Sequence, residues 1–101
     1  MMIFDGHADL LYDVTKWRQA GEDRVFERRH LPRLQAGQIG GLGLSIWTTV
    51  EQDSIWSAHP DWDGWRRTEE MMARAREELA ECPWLALVRT AAEARKAQTE
   101  G

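Results

Sequence analysis

The sequence has one cysteine, Cys82, so no disulfide can form within its 101 residues. That suits a reducing compartment. Proline is scarce, with three residues. No apolar run approaches the ~18 residues of a membrane-spanning helix, so no membrane segment is expected in this chain. No basic-then-apolar leader opens the chain, which favours the cytoplasm. A basic excess is also lacking: 13 Lys and Arg stand against 17 Asp and Glu, net −4. A nucleic-acid binder shows a basic face. The one dense basic cluster, residues 24–33, contains Glu27 and follows Glu22 and Asp23. It reads as a solvated, mixed-charge surface, and no nucleic-acid partner is expected.

What remains is ordinary for a globular chain: 43% hydrophobic residues, 30% charged, and six tryptophans able to drive collapse. The length allows one small domain, residues 1–101.

Local patterns alternate. Residues 2–7 read as a short strand, with Ile3 and Phe4 ahead of Asp5-Gly6-His7. Residues 9–20 read as a helix: Leu10, Leu11, Val14 and Trp17 keep helical spacing and Gly21 is the stop. The charged stretch 22–29 reads as a surface loop. Residues 31–37 give one or two helical turns, with Pro32 at the start and Gly37 at the stop. A strand is expected over 41–48, its glycines packed tightly against a neighbour. Residues 51–63 read as a loop carrying Trp56, His59 and Trp62.

A long helix is predicted over 63–81. Trp65, Thr68, Met72, Ala75, Leu79 and Cys82 form one apolar stripe. Arg66–Glu70 and Arg74–Glu78 stand at i,i+4 on the wet side. Pro83 ends the helix, residues 84–89 read as a buried strand, and Thr90 with Glu93 makes a capping box for a helix over 91–98. The order strand, helix, strand, helix, strand, helix implies an α/β fold with parallel strands.

The motif that carries chemistry is Asp5-Gly6-His7-Ala8-Asp9 at the end of the first strand. Side chains i and i+2 of a strand share a face, so His7 and Asp9 can meet beyond its C-terminal end. An imidazole and a carboxylate so placed are two legs of a zinc site. Active sites of barrels and open parallel sheets lie at that edge. The alternative is that both residues satisfy strand-end or helix-cap hydrogen bonds.

The context extends the motif. The stretch from Met2 to Leu11 is followed by His30-Leu31-Pro32-Arg33-Leu34-Gln35-Ala36-Gly37-Gln38-Ile39-Gly40-Gly41, and then by Val88-Arg89-Thr90-Ala91-Ala92-Glu93. In this combination and order the chain resembles the opening of the renal or membrane dipeptidase family of zinc metallopeptidases. Two departures stand out. Ala8 replaces the family's Asn, which leaves both ligand positions intact. Leu42-Gly43-Leu44-Ser45 replaces a more aromatic stretch, which alters the pocket wall.

The resemblance implies a (β/α)8 TIM barrel and a hydrolase that cleaves dipeptides. It implies two zinc ions, with His7 and Asp9 as first-strand ligands of one of them. A bridging Glu, two His ligands and a catalytic Asp of the family have no counterpart here. A complete barrel takes ~250 residues. The expectation is therefore an N-terminal portion of about three strands, inactive alone, with its C-terminal portion missing. The alternative is a non-catalytic α/β interaction module that works by pairing with another chain, including a second copy. Another metal-dependent amidohydrolase fits less well, because those usually carry His-x-His on the first strand.

Other residues have plainer readings. His30 and His59 are read as surface histidines, although His59 is placed to line a substrate mouth. Trp65 is expected in the helix stripe, with Trp56 and Trp62 under their loop. Cys82 reads as a small buried hydrophobe and Met71-Met72 as core. Gly40, Gly41 and Gly43 make no phosphate loop, lacking its pattern and its lysine.

Overall fold

The computed structural model describes residues 3–46 and 55–100. Met2, Trp47 and Thr48 of the expected strands, and residues 51–54 of the expected loop, lie outside the described residues. The elements are β1 (Ile3–Ala8), α1 (Leu10–Gln19), α2 (Leu31–Ala36), β2 (Ile39–Leu44), α3 (Gly64–Glu81) and α4 (Ala91–Glu100). A wide π-helical turn, Phe26–His30, precedes α2, and a 3-10 turn, Ile55–Ala58, precedes α3. Among the described residues this is an α/β domain of four α-helices and a two-stranded parallel sheet.

β1 and β2 pair in parallel, with Ile3 opposite Ile39, Phe4 opposite Gly41, Asp5 opposite Leu42 and Ala8 opposite Leu44. The glycines of β2 permit this approach. A Cβ on Gly43 would lie 2.5 Å from the backbone oxygen of Gly6, and one on Gly41 would strike the Phe4 ring. β2 opens at Ile39, two residues before the expected start, and its described ladder ends at Leu44.

The core joins Leu11 and Val14 of α1, Val25, Phe26, Trp56 and Met71. Thr15 is also buried, and its hydroxyl donates to the Leu11 carbonyl at 2.7 Å, which satisfies it inside the helix. Gly21 follows α1 at φ 99°, the left-handed stop its type favours. Gly37 is the C-cap of α2, the expected stop, and the left-handed residue that follows it is Gln38, at φ 60°.

Residues 22–29 are not a simple surface loop. Val25 and Phe26 are buried. The physical reason is a carboxylate from far along the chain: Glu78 accepts the N–H groups of Val25 at 2.9 Å and Phe26 at 3.2 Å. These orphan donors at the head of the turn are thereby satisfied. The arginines around them are paired, Arg24 with Glu27, Arg28 with Asp23 and Arg29 with Glu22.

The same carboxylate decides how α3 sits. Arg18 of α1 meets Glu77 at 2.6 Å, Glu78 at 3.1 Å and Glu81 at 2.9 Å. This draws the acidic side of α3 onto α1, so Glu70, Met71 and Glu78 are buried. The apolar stripe expected to be buried is buried only in part: Cys82 is buried and Ala75 packs against the core, but Trp65 is 72% and Met72 40% exposed. The expected i,i+4 pairs change accordingly. Glu70 and Glu77 bind Arg74, Glu78 binds Arg18, and Arg66 stacks on Trp62 at 4.4 Å.

The N-terminus of α3 is as expected, with Asp63 accepting from the Arg66 N–H at 2.8 Å. Cys82 is buried at its other end.

Beyond Pro83 the expected third strand has no ladder. Leu85 N–H turns back to the Cys82 carbonyl at 3.3 Å, and the chain then runs along a groove without joining β2. Trp84, Leu87 and Val88 stay exposed. Half of the expected capping box of α4 forms, with Glu93 N–H donating to Thr90 Oγ1 at 3.1 Å, while the Glu93 carboxylate reaches one residue further back and accepts from Arg89 N–H at 2.6 Å. α4 runs two residues past the expected end, and only Ala94 and Ala97 among its described side chains are half-buried.

Candidate functional site

The C-terminal end of β1 feeds directly into α1 through Asp9. Asp9 occupies the N-cap position, yet its side chain makes no capping hydrogen bond. Its carboxylate instead lies against His7, with Oδ1 3.2 Å from Nε2. The alternation of β1 thus brings His7 and Asp9 together as the i,i+2 spacing predicts. Asp5, two residues earlier, is spent locally: its Oδ1 accepts the His7 N–H at 3.0 Å.

Neither partner is buried. The His7 side chain is 74% exposed and that of Asp9 65%, so their mutual attraction is screened. The backbone holds them in place. Ser45, just past β2, donates its N–H to the Ala8 carbonyl at 2.9 Å. Its hydroxyl reaches Nδ1 of His7 at 3.0 Å and Nε2 at 3.2 Å. Near-equal distances to both ring nitrogens place the hydroxyl over the ring, off the in-plane line of either lone pair. The trio is therefore not aligned as a nucleophilic Ser-His-Asp relay.

His7, Asp9, Tyr12, Asp13, Ser45 and Ile46 line a pocket of about 370 Å³. Tyr12 and Asp13 stand three and four residues beyond Asp9 on α1, hence on its face. That spacing, together with parallel pairing of β2, is the signal that would have found Tyr12, Asp13 and Ser45 from sequence. The Tyr12 hydroxyl accepts the Ile55 N–H at 2.9 Å and so ties the 3-10 turn to the pocket.

Asp13 is fixed from behind. Its Oδ1 accepts from Trp17 Nε1 at 3.1 Å, and its Oδ2 lies 2.8 Å from His30 Nε2. His30 Nδ1 lies 2.8 Å from Arg33 Nη2. A guanidinium only donates, so Nδ1 accepts and Nε2 carries the proton given to Asp13. His30 is 5% exposed, so it is not a surface histidine. With both nitrogens engaged it has no lone pair free for a metal.

His59 stacks on Trp62 at 3.9 Å and 10° and does not line the pocket. Trp56 is fully buried and Trp62 packs against the core, as expected, but Trp65 is exposed. The carboxyls held below their ordinary range lie away from this pocket. Arg18 lowers Glu81 and Arg29 lowers Glu22.

The donor set fits part of a zinc site. Two ligands bonded at about 2.0–2.1 Å in tetrahedral geometry stand about 3.3 Å apart, close to the observed His7–Asp9 separation. They do not complete one. Among the described residues no group of three or more His, Cys, Asp or Glu is placed to hold a metal ion. Nor, among the described residues, is any helix long and apolar enough to cross a membrane. No protein-family model matches the sequence, and no curated protein or solved structure is significantly similar to it.

Proposed function

We propose that this chain supplies the first ligand pair of a zinc-dependent dipeptidase built on a (β/α)8 barrel, with the remaining ligands contributed by residues outside these 101. The observation that carries the reading is the His7 Nε2–Asp9 Oδ1 approach of 3.2 Å at the C-terminal edge of a parallel sheet, made in place of a helix cap. His7 and Asp9 would hold one zinc ion. A pair of zinc ions supplies an activated water and polarises the scissile carbonyl of a dipeptide.

The chain's own residues do the positioning. The Ser45 hydroxyl closes one side of the His7 ring. Asp13, held by Trp17 and by His30 with Arg33 behind it, keeps a fixed carboxylate on the pocket wall. That negative wall favours the amino end of a dipeptide over its carboxylate end.

Calorimetric titration of the 101-residue chain with zinc is the test. Weak binding is expected, and His7→Ala or Asp9→Ala should each weaken it at least ~10-fold, since even indirect ligand supports are worth that much. Dipeptide turnover by the chain alone should be absent. Equal zinc affinity in wild type and the double variant would refute the ligand assignment.

A second reading has its own observation. Among the described residues β1 and β2 each leave one edge unpaired, and Ile3 and Phe4 are 49% and 67% exposed. Such edges favour a non-catalytic interaction module that pairs with another chain. Zinc-independent dimerisation without metal affinity would select it.

A further inference from the structure

We propose that the His7–Asp9 pair is completed by the same pair of a second copy, so that one zinc ion bridges two chains through four ligands. The inference rests on the assignment of His7 and Asp9 as zinc ligands, and not on the barrel.

The pair is half of a tetrahedral site. His7 Nε2 and Asp9 Oδ1 stand 3.2 Å apart, and the two side chains are 74% and 65% exposed, so an ion held between them is open to a second molecule. The Ser45 hydroxyl lies over the His7 ring and leaves the in-plane position at Nε2 to a metal.

Among the described residues the chain offers no third ligand of its own. No group of three or more His, Cys, Asp or Glu is placed there to hold a metal ion. Asp13 has both oxygens engaged, by Trp17 and by His30. His30 has both ring nitrogens engaged, and His59 is stacked on Trp62 away from the pocket.

A second copy supplies what is missing. A two-fold axis through the ion presents the same two groups from the other side, the self-complementary contact of a symmetric dimer. Two imidazoles and two carboxylates suit zinc, and the two carboxylate charges balance those of the ion. Each chain carries net −4, so two copies repel until a cation stands between them. Leu44, opposite Ala8 in the ladder, and Ile46 on the pocket wall are each 43% exposed and become covered on pairing. So small an apolar collar falls short of the ~1,000 Å² that a self-sufficient interface clears, so pairing requires the metal. Four protein ligands leave zinc no open position for water, and the bridged site is closed and structural.

Sedimentation velocity of the whole 101-residue chain, titrated with zinc, tests it. The chain should be a monomer in chelator and a dimer once zinc reaches one ion per two chains. His7→Ala and Asp9→Ala should each raise the zinc concentration for half-dimerisation at least ~10-fold. Both side chains are exposed, so neither change threatens the fold. Cobalt in place of zinc should give the intense visible spectrum of tetrahedral coordination at the same one-to-two ratio. One ion on each monomer, lost in His7→Ala, overturns the bridge and leaves the ligand assignment standing, as does a pale six-coordinate cobalt spectrum. Zinc uptake that both variants keep, or no uptake at all, overturns the bridge and the assignment together. A dimer that persists in chelator overturns the bridge and selects the zinc-independent interaction module.

Discussion

The two long faces of α3 share burial in a way that their composition does not suggest. The face toward α1 is acidic and buried, carrying Glu70 and Glu78 around Met71. Of the apolar stripe, Trp65 and Met72 are exposed while Cys82 is buried. Burying carboxylates is costly unless each is paired, and here the pairing is dense. Arg18 reaches three glutamates, and Glu78 also takes two backbone N–H groups. The lesson is that a satisfied polar seam can set a helix's rotation against its apolar stripe. The apolar face is then left over the groove beside β2.

Substitutions on the two faces should separate them. The largest effect is expected at Glu78. Glu78→Ala leaves Arg18 with Glu77 and Glu81 but strips the N–H groups of Val25 and Phe26 of their acceptor, and should cost about 3–5 kcal/mol, since each buried donor left unsatisfied costs about 1–3 kcal/mol. Urea denaturation measures it. A loss below about 1 kcal/mol would mean that the seam does not hold α3.

Neighbouring methionines give the next contrast. Met71 is fully buried and Met72 is 40% exposed. Met71→Ala should cost about 2–5 kcal/mol. Met72→Ala should cost less than about 1 kcal/mol. Equal losses in thermal unfolding would show that both faces are covered in solution.

The smallest effect is the pH dependence of the seam. Hydrogen bonding from Arg18 holds Glu81 below the ordinary carboxylate range, with burial opposing. Arg29 does the same for Glu22. A carboxyl lowered in the folded state adds stability that is fully present above its unfolded pKa and lost as pH falls through the folded value. Stability from these groups should therefore hold from neutral pH down to the ordinary carboxylate range and decline below it. Glu81→Gln should flatten that decline in denaturation curves taken across the acid range.

Local signals were readable where neighbours in sequence decide the outcome. The period-2 strand end placed His7 beside Asp9, and Thr90 located the start of the last helix as its cap. Signals failed where the deciding partner is distant. Val25 and Phe26 sit in a charged stretch, and only Glu78, more than fifty residues away, explains their burial. His30 looks like part of that same surface until Asp13 and Arg33 take both its nitrogens. The pocket beyond His7 and Asp9 needed the fold, because Ser45 joins it through strand pairing. For residues 84–88 composition argues for a strand, while the structure keeps them off the ladder.

The close approach of β2 to β1 limits how this sequence can drift. Every amino acid other than glycine brings a Cβ, and at Gly43 that atom would sit 2.5 Å from the Gly6 carbonyl oxygen, a backbone group with little room to yield. Any missense change at codon 43 therefore pushes the two strands apart, whatever the chemistry of the new side chain. At Gly6 and Gly64 an added Cβ meets nothing within 4 Å. Those two glycines are free to vary on this ground, while Gly43, near the end of β2, is held by geometry alone. Because Ser45 follows two residues later and anchors to Ala8, a lineage that lost Gly43 would also lose the spacing that sets the pocket's second wall.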